Sequence, residues 1–232
     1  VLLVEKEAAA TDWLGEAPEI ADADITEELD TEVLVVGCGT GGWITAMSAA
    51  EEGVKVLVVE KGETPTGIRE DIGAINSKLQ LESFAEHPEF EIDKTEALLE
   101  LVRYSHGYID SDLAKVWINE SGEMVDWLTD LMESTGNWFM SLEGGIGDQS
   151  DPGRDKAFAT GHSPHKTENA PEDCSTNATF QAYCDERGVE WKLSTALVKL
   201  VQDETGKVTG IIAQDQTDNH YVKINASKGV IL

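Results

Sequence analysis

Basic residues are scarce in this chain. Only 17 Lys and Arg stand against 45 Asp and Glu in 232 residues, a net charge of −28. Such a surface repels phosphate backbones and anionic headgroups, so nucleic acid and anionic membranes are excluded as expected partners. Cysteine is scarce too: Cys38, Cys174 and Cys184 are the whole set. None forms a Cys-x-x-Cys pair and their number is odd, which excludes zinc-ribbon and thioredoxin-type chemistry and a disulfide framework. No metal site is expected, because His162-Ser163-Pro164-His165 has no further ligand at a standard spacing. No apolar run reaches the ~20 residues of a spanning helix, so no membrane insertion is expected. Val1 to Val4 is too short for a signal peptide, and Glu5 and Glu7 follow at once. The first residue is Val1 rather than Met, which leaves a soluble protein open to being cytoplasmic or exported after removal of an upstream signal.

What remains has an ordinary globular composition, with 41% hydrophobic and 27% charged residues. Residues 1–30 are acidic and Ala-rich without a clean period, and are expected to be a surface extension, with Trp13-Leu14 as its anchor. The globular part is expected over residues 31–232. Val33-Leu34-Val35-Val36 is a continuous apolar run ending in glycines, which suits a strand buried on both faces. Thr45 to Glu52 reads as a helix with small Ala46, Ala49 and Ala50, and Val54 to Val59 as a second buried strand. Strand, glycine turn, helix, strand is a βαβ unit, so the two strands should be parallel.

Gly37-Cys38-Gly39-Thr40-Gly41-Gly42 fits G-x-G-x-x-G between that strand and that helix, and Glu60 ends the second strand. The acid stands close to the ≈ 20 residues downstream that a ribose-binding carboxylate requires. Each position has a physical task. Gly37 permits the tight turn, Gly39 lets a pyrophosphate approach the backbone, and Gly42 lets helix and strand pack closely. The helix N-terminus offers N–H groups and a partial positive charge to the phosphates, an asset in so negative a protein. Glu60 can accept from both ribose hydroxyls and would repel a 2′-phosphate. This pattern by itself does not separate FAD from NAD.

Further along, Gly62 to Asn76 reads as a loop, Lys94 to His106 as a helix, and Ser111 to Ser134 as one long helix or two, capped by Asp110 or Ser111 and breakable at Gly122. Gly144 to Asp173 has no period and reads as a long loop. Ser175 to Glu186 is a helix. Short strands then follow at Val189–Leu193, Leu197–Gln202, Val208–Gln214, Tyr221–Ala226 and Val230–Leu232, with turns at Thr205-Gly206 and Asp218-Asn219, a β-meander following α/β. Cys38 is expected to be a small buried filler.

The glycine motif, Val56-Leu57-Val58-Val59-Glu60-Lys61-Gly62, the loop Thr64-Pro65-Thr66-Gly67-Ile68-Arg69 and Gly73-Ala74-Ile75-Asn76 resemble the FAD-binding start of the fumarate reductase and succinate dehydrogenase flavoproteins. Ile68-Arg69 and Ala74 depart from that family's pattern. The resemblance continues through Ile118 to Leu128, Arg187 to Leu200, Gly206 to Ile211 and Lys228 to Leu232. It implies an α/β, Rossmann-like FAD-binding domain with a parallel sheet plus β-meander, of the glutathione-reductase-like type, cut off before the substrate cap. It implies cofactor contacts at Gly37, Gly39, Thr40, Gly41, Gly42, Glu60, Lys61, Gly62, Thr66, Gly67, Gly73 and Ala74, and at Ala196 and Leu197 in the strand beside adenine. It carries no catalytic residue over to this chain, since the family's lie in the cap and C-terminal parts. Family members attached covalently to FAD use a His soon after the glycine motif, and none occurs between Gly37 and Gln80, so non-covalent FAD is expected. His162 is a candidate for a pocket role near the flavin; otherwise it and His165 are surface-loop histidines.

The activity so implied is hydride transfer between flavin N5 and an activated C=C bond of a small-molecule substrate, with an electron-donor protein as a candidate partner. Two alternatives are an NAD-linked dehydrogenase, against which the meander and the flavin-side loop argue, and a non-catalytic flavin-binding or electron-transfer fragment.

Overall fold

The structure is a computed structural model, and it describes residues 18–68, 72–143, 156 and 158–232. Along the chain run β1 (Ile25–Val36), α1 (Thr40–Glu51), β2 (Val56–Val59), β3 (Ile72–Gly73), α2 (Lys78–Glu86), α3 (Lys94–Tyr104), α4 (Ser111–Ser134), β4 (Trp138–Glu143), β5 (Gly161–Lys166), α5 (Thr176–Glu186), β6 (Glu190–Lys192), β7 (Thr195–Gln202), β8 (Val208–Asp215) and β9 (Tyr221–Ile231). They form two compact units. One comprises residues up to Ile68 together with Phe180–Leu232, and the other the residues between, up to Thr179.

The first unit is a six-stranded sheet in the order β6-β2-β1-β9-β8-β7. β6, β2, β1 and β9 are parallel, with Val33 opposite Val56 and Leu34 opposite both Leu57 and Val230. β7, β8 and β9 pair antiparallel as the meander. The apolar run of β2 is buried at every position, as a central parallel strand requires. β9 instead alternates over residues 221–226, burying Val222, Ile224 and Ala226 between half-exposed neighbours, and then turns outward with Ser227, Lys228 and Ile231 exposed. These three pack with Leu34, Leu57, Val59, Ile211 and Ala213 into one core. Each large aliphatic among them contributes about 1.5–3 kcal/mol on leaving water.

The second unit carries a three-stranded antiparallel sheet, β3-β5-β4. α3 and α4 pack over the core of Ile75, Phe84, Ile92, Ala97 and Ile118. α4 runs unbroken through Gly122. The glycine serves packing rather than breakage: a Cβ there would lie 2.5 Å from the Ile75 carbonyl oxygen. Asp110 caps α4 by accepting from the N–H groups of Asp112 and Leu113.

Several expectations need correction. The sheet begins at Ile25 rather than near Thr31, since Glu28 and Asp30 ladder against Lys223 and Asn225 of β9. An acidic extension of residues 1–30 is therefore too long by six residues, and residues 1–17, with Trp13-Leu14, lie outside the described residues. β6 lies in the parallel sheet beside β2, not in the meander. Tyr221–Ala226 and Val230–Leu232 are one strand that stays paired with β1 across a register shift at Thr31/Val33. Within the expected loop 144–173, residues 161–166 form β5, while 144–155 and 157 lie outside the described residues.

Candidate functional site

The strand order puts β2 and β6 on one side of β1 and β9 on the other. That reversal is the topological switch point at which open α/β sheets bind ligands, outside the carboxyl ends of the strands. The glycine turn stands there. Gly37 has φ +89°, a region open to glycine at little cost, and its N–H donates to the Val59 carbonyl at 2.7 Å, tying the turn to the end of β2. α1 starts at Thr40, five residues earlier than expected, with Gly39 as its N-cap. No side chain caps it and no acid stands in its first turn. A Cβ on Gly42 would lie 2.0 Å from the Gly37 carbonyl oxygen, so the helix can sit on the turn only because that residue is glycine. A Cβ on Gly39 or Gly41 would meet nothing within 4 Å. The helix end is thus closed toward the sheet and open outward, where Thr40 and Gly41 are exposed.

Glu60 is buried beside this turn, 7% exposed. Its Oε2 accepts from the Cys38 N–H at 2.7 Å and its Oε1 from the Gly62 N–H at 2.8 Å. Each oxygen keeps lone-pair capacity for a further donor, such as a ribose hydroxyl. The backbone around Glu60 is pinned on both sides: its N–H donates to the Lys192 carbonyl at 3.0 Å, and its carbonyl accepts from Thr195 at 2.9 Å. Ser194, held at φ +50°, donates its N–H to the Gly62 carbonyl at 2.8 Å. Ala196 and Leu197 follow directly in β7. One unit therefore gathers Gly37, Gly39, Thr40, Gly41, Gly42, Glu60, Lys61, Gly62, Ala196 and Leu197. Lys61, Thr66 and Gly67 are exposed, and the Thr66 carbonyl accepts from the Trp43 indole N–H at 3.0 Å.

Gly73 and Ala74 belong to the other unit. The Gly73 carbonyl accepts from the Trp117 indole at 3.0 Å. Ala74 is fully buried, its N–H donating to the Thr160 carbonyl at 2.8 Å and its carbonyl accepting from Gln80 Nε2 at 2.9 Å. Both of its backbone polar groups are thus engaged within the unit. His162 is not a surface-loop residue. It is 0% exposed in β5, with Nε2 2.7 Å from Ser77 Oγ and Nδ1 2.9 Å from the Thr160 carbonyl. Nδ1 faces the Thr160 and Ile72 carbonyls, which can only accept, so in the neutral ring Nδ1 carries the hydrogen and Nε2 accepts that of the Ser77 hydroxyl. Burial pushes the His162 pKa below its ordinary value.

Cys38 and Cys184 are fully buried, and burial pushes both thiols up to about 12. The fillers expected at Cys38 are thus matched by a second thiol on α5. Trp43, which pins the site, drew no notice in the sequence, whereas Ser194 and Thr195 lie within the Arg187 to Leu200 stretch that carries the resemblance. Sequence reading also missed an ionic cluster at the foot of β1. There His220 contacts Asp218 and Glu27, and Lys192 bridges Glu27 at 2.9 Å and Asp215 at 3.8 Å. Asp218, then Glu27, raise the His220 pKa.

A family model described as an FAD-binding domain matches residues 32–232. The chain is 26% identical over 203 residues to the vinyl phenol reductase of Lactiplantibacillus plantarum, covering 86% of this chain and 37% of that protein. It is 32% identical over 110 residues to the digoxin reductase of Eggerthella lenta, covering 47% of this chain and 20% of that protein. The open conformation of a flavocytochrome c3 fumarate reductase superposes with a TM-score of 0.62 at 23% identity, over 90% of this chain and 34% of that one. At that identity the superposition speaks for the fold. The chain spans about a third or less of the length of these proteins.

Proposed function

The chain belongs to the FAD-binding domain family, and on that premise we propose that it holds FAD non-covalently and serves an oxidoreductase that reduces, or forms, an activated C=C bond in a small organic molecule. The observation that carries the cofactor reading is the uncapped, acid-free end of α1, open in front of Gly39 and Gly41, with the buried Glu60 carboxylate beside it. These residues fit a dinucleotide. Backbone N–H groups at the start of α1 bind the pyrophosphate, and the helix dipole favours its charge. Glu60 orients the adenosine ribose through hydroxyl hydrogen bonds, and the start of β7 at Ala196 and Leu197 flanks the adenine. Thr66 and Gly67 are assigned to the flavin end. When bound, FAD supplies the hydride chemistry at N5; the protein supplies binding, orientation and the exclusion of competing reactions.

The reaction class rests on the vinyl phenol and digoxin reductases, whose names describe reductions. Because this chain spans only part of their length, the substrate, its catalytic groups and an electron-donor partner are assigned to no residue here. The test of the cofactor reading is the visible spectrum of the purified protein after incubation with FAD and removal of the excess. A retained flavin spectrum that is lost in Gly39→Val supports it. A well-folded protein that stays colourless with FAD and binds NAD would overturn it in favour of an NAD-linked enzyme.

A further inference from the structure

Trp43 follows Gly42 directly, in the first turn of α1, and is 0% exposed. Its indole is walled by Phe180, edge-on at 5.7 Å, and by Trp191, tilted at 5.2 Å. A buried indole N–H requires an acceptor. Here the acceptor is the carbonyl of Thr66, 3.0 Å away, in the loop that follows β2. Thr64, Thr66 and Gly67 are exposed, while Pro65 between them is half-buried and Ile68 beyond them is buried. At Thr66 the backbone is fixed to an indole that is itself locked by two aromatic neighbours.

We propose that Trp43 is a positioning residue: its indole N–H fastens the Thr64–Gly67 loop to the phosphate-binding helix, so that seating the pyrophosphate also sets the loop that meets the flavin end. The proposal rests on the FAD reading above and deepens it. The adenosine half has its own anchors, because Glu60 is held by the N–H groups of Cys38 and Gly62, and its backbone by Lys192 and Thr195. The two halves of the cofactor therefore depend on the Trp43–Thr66 bond unequally. A residue that merely stabilised the fold would affect both alike.

The test compares Trp43→Phe with wild type in binding FAD and ADP, read by flavin absorbance and by calorimetry. Phe keeps an aromatic ring in the Phe180–Trp191 pocket but donates nothing to Thr66. The expected result is an FAD affinity lowered about tenfold, the scale of one hydrogen bond, with ADP affinity within about twofold of wild type. Ile224→Val, in the sheet core that does not include Trp43, serves as the packing control, expected to lower the melting temperature while leaving the ratio of the two affinities unchanged. Equal losses for FAD and ADP in Trp43→Phe, or no loss for either, would overturn the proposal. A wild-type protein that binds ADP but not FAD would instead overturn the cofactor reading. If Trp43→Phe does not fold, hydrogen exchange of the Trp43 indole N–H in the wild type decides: slow exchange is expected, and exchange as fast as a solvent-exposed indole refutes the bond.

Discussion

Replacing Gly42 and Gly39 by alanine, one at a time, should separate the fold from the ligand. In Gly42→Ala the new methyl would stand 2.0 Å from the Gly37 carbonyl oxygen and 3.0 Å from its carbon, both backbone atoms that cannot rotate away. Ordinary contact begins near 3.4 Å, so α1 must back off the turn by more than 1 Å. Overpacking of that kind costs about 1–3 kcal/mol, which in a chain of this size lowers the melting temperature by roughly 2–12 °C. In Gly39→Ala the methyl meets nothing within 4 Å, and the residue sits at φ −89°, which alanine adopts freely. The protein without cofactor should then lose no more than about 1 kcal/mol, the cost of alanine at an N-cap. Its methyl occupies the space through which a pyrophosphate reaches the backbone, and FAD affinity should fall at least tenfold, ~1.4 kcal/mol. Thermal melts without cofactor and flavin titrations measure the two quantities separately. Gly39→Ala holding FAD as tightly as wild type would refute the placement of the pyrophosphate. Gly42→Ala melting at the wild-type temperature would refute the close packing.

Three further outcomes are expected. Glu60→Gln presents an amide nitrogen to one of the two N–H groups that the carboxylate now accepts, from Cys38 and Gly62; the fold should lose about 1–3 kcal/mol and ADP affinity should fall in calorimetry, whereas wild-type values for both would remove Glu60 from the site. Two histidines should tilt the pH profile of stability in opposite senses. The His162 pKa is lowered by burial, so its contribution is complete above the unfolded value of about 6.5 and is lost as pH falls below it. The His220 pKa is raised by Asp218 and Glu27, so its contribution is complete below about 6.5 and is lost as pH rises through the folded value. Urea midpoints from pH 5 to 9 should therefore lose part of their acid slope in His162→Gln and part of their alkaline decline in His220→Gln; unchanged slopes count against both assignments. Finally, Cys38 and Cys184, buried and with thiols pushed up to about 12, should resist iodoacetamide at pH 8 until the protein is denatured, as peptide mapping would show.

The β1–α1–β2 unit was legible because its signals are local: an apolar run, a glycine turn of fixed spacing, an acid at the strand end. Gly42 and Gly37 act as the motif requires. The partnership of β1 with β9 was not legible, since no local pattern says which later strand closes beside the first. The strand at residues 25–30 was missed for a different reason. Its acids are neutralised by Lys223 and tethered by Asn225 of β9, partners far off in sequence. β5 contains Pro164, which is tolerated because β3 pairs with β5 only at Gly161 and His162 and leaves Pro164 paired with Met140 alone among the described residues; that proline and the histidines give no strand signal in the sequence. α2 could have been found. Ser77 and Gln80 form a capping box whose S-x-x-Q spacing stands in the sequence, and its polar composition masked it. Burial of His162 was beyond reach, because the Ser77 and Thr160 groups that satisfy it meet only once β5 is in place.

The pairing of β1 with β9 also bears on how the chain is made. At a ribosome adding roughly 5–20 residues per second, Val35 waits tens of seconds for Ile231, the residue opposite it in the sheet. During that interval the β1–β2 pair exposes one long unpaired edge and half a core, the kind of surface that recruits chaperones or aggregates. The unit up to Thr179 is contiguous in the chain and is finished before Phe180 is added. Synthesis thus sets an order of assembly in which the inserted unit can close before β9 docks against β1.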